Sequence, residues 1–312
     1  METRSVFARP TVISREQAAR ARASPGAGYF ARESVVRQVW REPIVMIGGM
    51  QRAVLVMAAH PRVAAAFATH YPESEWRRLG RTVLSFYAVL YGERDTADRA
   101  AANVQALHAA IRREVPSRES GARVPYSALD PELLLWVLTA MVDTSLVMYE
   151  AFVRPLSFAE RNEFYDDMRT VGRLFGLRPE LTPPRLEEFR EHQRKRLECG
   201  EIELTTAARE IAARLLNPPL PLGLRPLGAA FRSITVAYLP AHLRRAYGLR
   251  GGWISPFLRI ACPRFAPALS FLLRRLVLDT DEIARTSSGE ALFRLGRKVG
   301  ERTSVRRWHR RA

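Results

Sequence analysis

An all-α protein built as a single large helical domain is what this chain of 312 residues predicts, and three observations carry that expectation. Apolar residues recur at i, i+3, i+4 and i+7 through most of the chain from Ser34 onward. No long segment alternates with the two-residue period of a strand. Helix-start signals stand directly before several of the apolar runs. With 47% hydrophobic residues, the chain can also bury a substantial core.

The first 33 residues, ending in a stretch that contains ARARASPGAGY, offer no stable apolar face and read as a basic flexible arm. Folding is expected to begin near Ser34. A helix follows over 44–59, where Gly48 and Gly49 permit close approach of a neighbour or ligand. Pro61 restarts the chain as the first residue of a helix over 62–69. Further helices are expected at 76–90, 96–113, 131–152 and 158–175. Asp130-Pro131-Glu132 supplies a cap with proline at the first position, and Ser157-x-x-Glu160 is a capping box. A second group is expected at 184–198, 205–216, 228–239, 242–247 and 267–276. The break NPPLPLGLRP cannot continue a helix, but its leucines suit a connection packed within one domain. The domain is therefore placed at 34–285, with 286–312 as a basic tail.

The apolar run LLLWVLTAMVDTSLVMY contains Asp143 and falls short of the roughly 20 apolar residues of a bilayer span, so it reads as a helix buried in the protein. A buried Asp143 needs a cation or a hydrogen-bond donor, and Arg78 is a candidate partner. The formal charge of +17, from 49 Lys+Arg against 32 Asp+Glu, favours anionic partners in general. The arginines are spread along the chain and no nucleic-acid-binding motif accompanies them, so no nucleic acid is expected. The basic tail is a candidate for peripheral contact with anionic membrane.

Cys199 and Cys262 stand in no metal-binding, CxxC or CxxCH spacing, which excludes a disulfide framework and covalent haem attachment. METRSVFARPTVISREQ has no apolar segment after its charges and no twin arginine, so a cytoplasmic protein is expected. HExxH, the Glu-x-x-His pairs of di-iron bundles, a Walker loop and a GxSxG elbow are all missing.

The residues that bear chemistry lie in two neighbouring helices. In Arg78-x-x-Arg81-Thr82 the spacing puts two guanidinium groups and a hydroxyl on one helical face. His108 lies in NVQALHAAIRR, where Val104, Leu107 and Ile111 place it on the apolar side of its helix, facing the interior. On position alone, a core histidine and a solvated arginine pair outweigh a ligand site. His60, just before Pro61, reads as a capping or pocket residue. His70, His192 and His242 fall in surface-like stretches. Trp136, Phe86 and Tyr87 read as core packing.

Several blocks together resemble the family of the latex-clearing proteins, which are bacterial rubber oxygenases, and the fungal endoplasmic-reticulum oxygenase of mycophenolic acid biosynthesis. They are AAHPRVAAAF, RRLGRTVLSFYAVLYGERDTA, VQALHAAIRR, VPYSALDPELLLWVLTAMVDTSLVMYEAFVRPLSFAERNEFYDD and, more loosely, AYLPAHLRRAYGL. They span roughly residues 35–280, and their order gives the resemblance its specificity. It implies a globin-like helical core around non-covalent haem b, with dioxygen as co-substrate. It further implies that His108 is the proximal iron ligand and that Arg78, Arg81 and Thr82 line the oxygen-binding side as catalytic residues.

Two departures stand out. Rubber-cleaving members carry a lysine where this chain has Arg81, and an arginine stays protonated and cannot ligate iron. The upstream carboxylate that those members use as a base has no counterpart in HPRVAAAF. The resemblance thus implies a haem-dependent oxygenase acting on an apolar, isoprenoid-like or lipid-like intracellular substrate. The alternative is a non-catalytic helical protein that binds a lipid-like ligand or an acidic membrane surface. Oligomeric state is not legible in the residues.

Overall fold

A computed structural model describes residues 28–69, 75–116, 123–198, 204–218, 222 and 225–249, and these are predominantly helical. In chain order they form α1 (Val35–Trp40), a π-helical turn (Val45–Gly49), α2 (Met50–Ala58), α3 (Pro61–Thr69), α4 (Glu75–Tyr91) and α5 (Arg94–Ala110). The strands β1 (Arg112–Pro116) and β2 (Arg123–Ser127) follow, then α6 (Pro131–Phe152), α7 (Phe158–Leu174) and a 3-10 turn (Pro179–Leu181). α8 (Leu186–Glu198), α9 (Thr206–Leu216), α10 (Arg225–Tyr238) and α11 (Ala241–Ala246) complete the order. Both cysteines, His70, the helix expected at 267–276, the basic tail and most of the N-terminal arm lie outside the described residues.

α6 is the centre of the core, packed by α2, the π turn, α7 and α8. At 22 residues it is long and apolar enough to cross a membrane by length and composition, and here most of it is buried inside the protein. Local chemistry sets its start: Asp130 accepts the Glu132 N–H at 3.0 Å, with Pro131 at the first helical position. α7 begins with the full capping box, in which Ser157 Oγ accepts from the Glu160 N–H at 3.2 Å and Glu160 Oε2 from the Ser157 N–H at 2.8 Å. Thr205 caps α9 by accepting the Ala208 N–H at 3.2 Å.

Two segments differ from the sequence expectation. The helix expected at 44–59 is interrupted by the π turn, where Gly48 and Gly49 let α6 come close. A Cβ at Gly48 would lie 3.3 Å from Met148 Cε, and one at Gly49 3.4 Å from Thr144 Cγ2. The helix expected at 96–113 ends at Ala110, and the chain enters an antiparallel ribbon with Arg112 opposite Ser127 and Val115 opposite Val124. Pro116 forces Val115 away from helical backbone, and Val115 is itself β-branched, so local sterics favour extended chain there.

Asp143 pairs with Arg52; the side chain of Arg78, the partner the sequence suggests, lies outside what the structure describes. The Arg52 side chain is 3% exposed, and its Nη2 lies 2.7 Å from Asp143 Oδ2. Nη1 donates to Thr144 Oγ1 at 2.6 Å and Nε to the Tyr238 carbonyl at 2.8 Å. The reason is geometric: Asp143 sits where α6 packs against α2, and Arg52 is the cation that α2 carries into that interface. Arg52→Leu should lower stability by ~3 kcal/mol, because it leaves a carboxylate and a buried carbonyl without their donor. Arg52→Lys should fall between the two, since an ammonium keeps the charge but not the fork. Urea unfolding of the three proteins tests this order.

Glu160 is also tied into an ion pair, 2.6 Å from Arg154 Nη2. The hydrogen bond from Arg154, helped by the Ser157 N–H, holds its carboxyl down at about 2. An unfolded chain keeps the ordinary carboxylate value, so this stabilisation is complete above about pH 4.5 and disappears as pH falls towards 2. Glu160→Gln should therefore cost ~1 kcal/mol at pH 7 and unfold alongside the parent near pH 2, as read by denaturant midpoints across that range.

Candidate functional site

Arg78, Arg81, Thr82 and His108 all lie towards the open end of the α4–α5 helical hairpin, away from its link. Gly92 and Glu93 are the short link between the two packed helices. At a rise of 1.5 Å per residue, Arg78 and His108 both lie about 20 Å from that link, so the hairpin brings them to the same level. Arg81 and Thr82 lie on α4 about one turn nearer the link. For Arg78 and Arg81 the described structure gives the helical backbone.

On α5 the inward stripe is Ala97, Ala101, Val104 and His108, spaced four, three and four residues apart. Ala97 and Ala101 are buried, whereas Val104 and His108 are half-buried. On α4, Phe86, Val89 and Leu90 are buried near the link, and Thr82, one turn before Phe86, is exposed. Phe86 is wedged against Trp40 and Phe175, with ring centroids 4.5 and 5.7 Å away. The interhelical face is thus buried near the link, and burial on α5 falls off towards His108. Leu107, the residue before His108, is 53% exposed.

This corrects one part of the sequence expectation: Leu107 is exposed, whereas His108 is half-buried with its Nδ1 shielded from solvent. α5 is a polar helix that buries little beyond two alanines, and Ile111 is only half-buried. What fixes the chain around His108 is hydrogen bonding. Gln105 Nε2 donates to the Leu174 carbonyl at 2.8 Å, and the Ile111 carbonyl accepts the Ala128 N–H at 3.2 Å.

The other histidines have other surroundings. His60 is buried at the start of α3, where its Nδ1 accepts the Arg62 N–H at 3.2 Å, so it serves as a helix cap. Arg62 Nη2 is 2.7 Å from Asp130 Oδ2, which links the starts of α3 and α6. His242 is exposed on α11, where partial desolvation and Arg245 hold its imidazole below the ordinary value, and His192 is half-buried on α8.

Trp136, Phe86 and Tyr87 are core residues as expected. The Trp136 indole donates to the Met57 carbonyl at 3.1 Å and the Tyr87 hydroxyl to the Trp40 carbonyl at 2.7 Å. Burial, aided by Glu42, pushes the Tyr87 phenol well above its ordinary range.

A cleft of about 430 Å³ lies between α7 and the 3-10 turn. None of the sequence-predicted site residues lines it; its walls include Asp166, Asp167, Arg169 and Arg173. Among the described residues, no three His, Cys, Asp or Glu side chains converge as a metal site.

Sequence reasoning missed Arg52 and Gln105. Arg52 had a signal, since MQRAVLVMA and LTAMVDTSLVM are two apolar runs with one charge each and of opposite sign. Gln105 had none, because a glutamine on a polar helix looks like any solvated residue.

The fold is that of a predominantly helical protein in which His108 lies level with the segment of α4 that contains Arg78, Arg81 and Thr82. Residues 36–269 match the family model described as ER-bound oxygenase mpaB/B'/Rubber oxygenase, catalytic domain, and the chain belongs to that family. The family is one of oxygenases, hence of oxidoreductases. No curated protein and no solved structure matches the chain.

Proposed function

We propose that this protein is a haem b-dependent oxygenase that uses dioxygen on an apolar, isoprenoid-like or lipid-like substrate inside the cell. The observation that carries the reading is the open end of the α4–α5 hairpin, where a half-buried His108 stands level with Arg78, Arg81 and Thr82 in a chain of an oxygenase family. The donor set fits the group, since a single imidazole is what a tetrapyrrole needs from one side. Bound haem supplies the redox chemistry.

The protein's own residues supply ligation, charge and access. His108 offers a neutral ring nitrogen to the iron. Arg78 and Arg81 would supply permanent positive charge and N–H donors to the site. Thr82 adds a hydroxyl, and Leu107, the residue before His108, leaves apolar surface exposed.

His108→Ala should lose haem while keeping its far-ultraviolet circular dichroism, because the side chain is only half-buried and lies near the end of its helix. A Soret band unchanged in the variant would remove His108 from the site. Arg81 generates a second expectation. A charged guanidinium has no lone pair to give, so the ferric protein should be high-spin and take up cyanide or imidazole quickly. Arg81→Lys should shift part of the population to low-spin at alkaline pH, as deprotonated lysine becomes a ligand. A fully low-spin parent spectrum would overturn this assignment of Arg81.

A further inference from the structure

We propose that Gln105 is a positioning residue for His108, clamping the turn that carries the imidazole to the C-terminal turn of α7. As a statement about catalysis this rests on the haem reading above; as a statement about the imidazole's position it does not. The argument begins with the carbonyls at the end of α7. A helix leaves its last four carbonyls without intrahelical partners, and here the end closes through a left-handed glycine, Gly176, at φ +99°. The Leu177 N–H returns to the Gly172 carbonyl at 2.9 Å, the Gly176 N–H to Arg173 at 3.0 Å and the Phe175 N–H to Val171 at 3.0 Å. Those bonds satisfy the carbonyls up to Arg173. The next one, Leu174, accepts from Gln105 Nε2 at 2.8 Å.

Gln105 stands one turn before His108 on α5. Its side chain runs over Gly176, where a Cβ would lie 3.7 Å from Gln105 Cγ. On the other side of His108, the Ile111 carbonyl is held by the Ala128 N–H at 3.2 Å. The imidazole thus sits between two hydrogen-bonded tethers in a stretch with little apolar burial, Leu107 being 53% exposed. Where burial is slight, a tether decides how far the local backbone opens. Loss of the Gln105 tether leaves the Leu174 carbonyl to water and lets the last turns of α5 fray, which changes the direction in which the ring nitrogen points.

The test uses the full chain as parent, Gln105→Leu, which has no donor, and Gln105→Lys, whose ammonium can reach the same carbonyl. Without haem, Gln105→Leu should show at least fivefold faster amide exchange in the last two turns of α5, and a shifted or broadened His108 ring resonance in NMR spectra. Gln105→Lys should restore both. Titrated with hemin, the parent should bind, Gln105→Leu should bind about tenfold more weakly with an altered high-spin to low-spin ratio, and Gln105→Lys should resemble the parent. An unchanged His108 resonance and unchanged exchange in Gln105→Leu would overturn the proposal, whatever the hemin result. A parent that takes up no hemin overturns the haem reading instead, while the ring resonance still decides the role of Gln105.

Discussion

Arg52 reaches an Asp143 carboxylate, a Thr144 hydroxyl and the Tyr238 carbonyl from one guanidinium, so a side chain of α2 holds both α6 and α10. A guanidinium suits that place because its fork presents donors in fixed directions, and each of its three nitrogens meets an acceptor. The other contacts at this interface depend on that registration. Gly48 and Gly49 can lie against Met148 and Thr144 only if α6 is held at one height relative to the π turn. Thr235 on α10 then comes within 2.9 Å of the buried Gln51. α6 can be apolar on nearly every side because its one acidic side chain within the apolar run has been answered.

The hairpin of α4 and α5 is organised differently. Near its link, Phe86, Tyr87, Val89 and Leu90 are buried in the common core. At its far end, polar α5 and the exposed Thr82 contribute little burial. The region with the chemistry is therefore held by directional bonds at its margins, while the rigid body of the protein lies behind it.

Local rules read parts of this fold to the residue. Asp130-Pro131 and Ser157-x-x-Glu160 mark the starts of α6 and α7, because each needs only a cap within three residues of the helix it begins. Pro61 and Thr205 act in the same way for α3 and α9. The π turn was not legible, since its cause is the approach of α6 from far along the chain. The ribbon was missed because a helical pattern through Ile111 runs into Val115-Pro116 without a glycine to announce the change. The pairing of Arg52 with Asp143 also lies beyond any spacing rule, because the packing of α2 on α6 decides it. For the site, periodicity placed His108 on the inward stripe of α5. It could not reveal that this stripe emerges from the core before reaching the histidine.

The link between Arg62 and Asp130 has an electrostatic consequence of its own. Arg62 stands in the first turn of α3, where the aligned peptide dipoles already present partial positive charge and a cation is unfavourable. Asp130 is the cap of α6, whose N-terminus carries the same sign of partial charge. One carboxylate, sharing its two oxygens between the Glu132 N–H and the Arg62 guanidinium, therefore serves two helix termini at once. The starts of α3 and α6 can stay adjacent without mutual repulsion because the negative charge between them belongs to both.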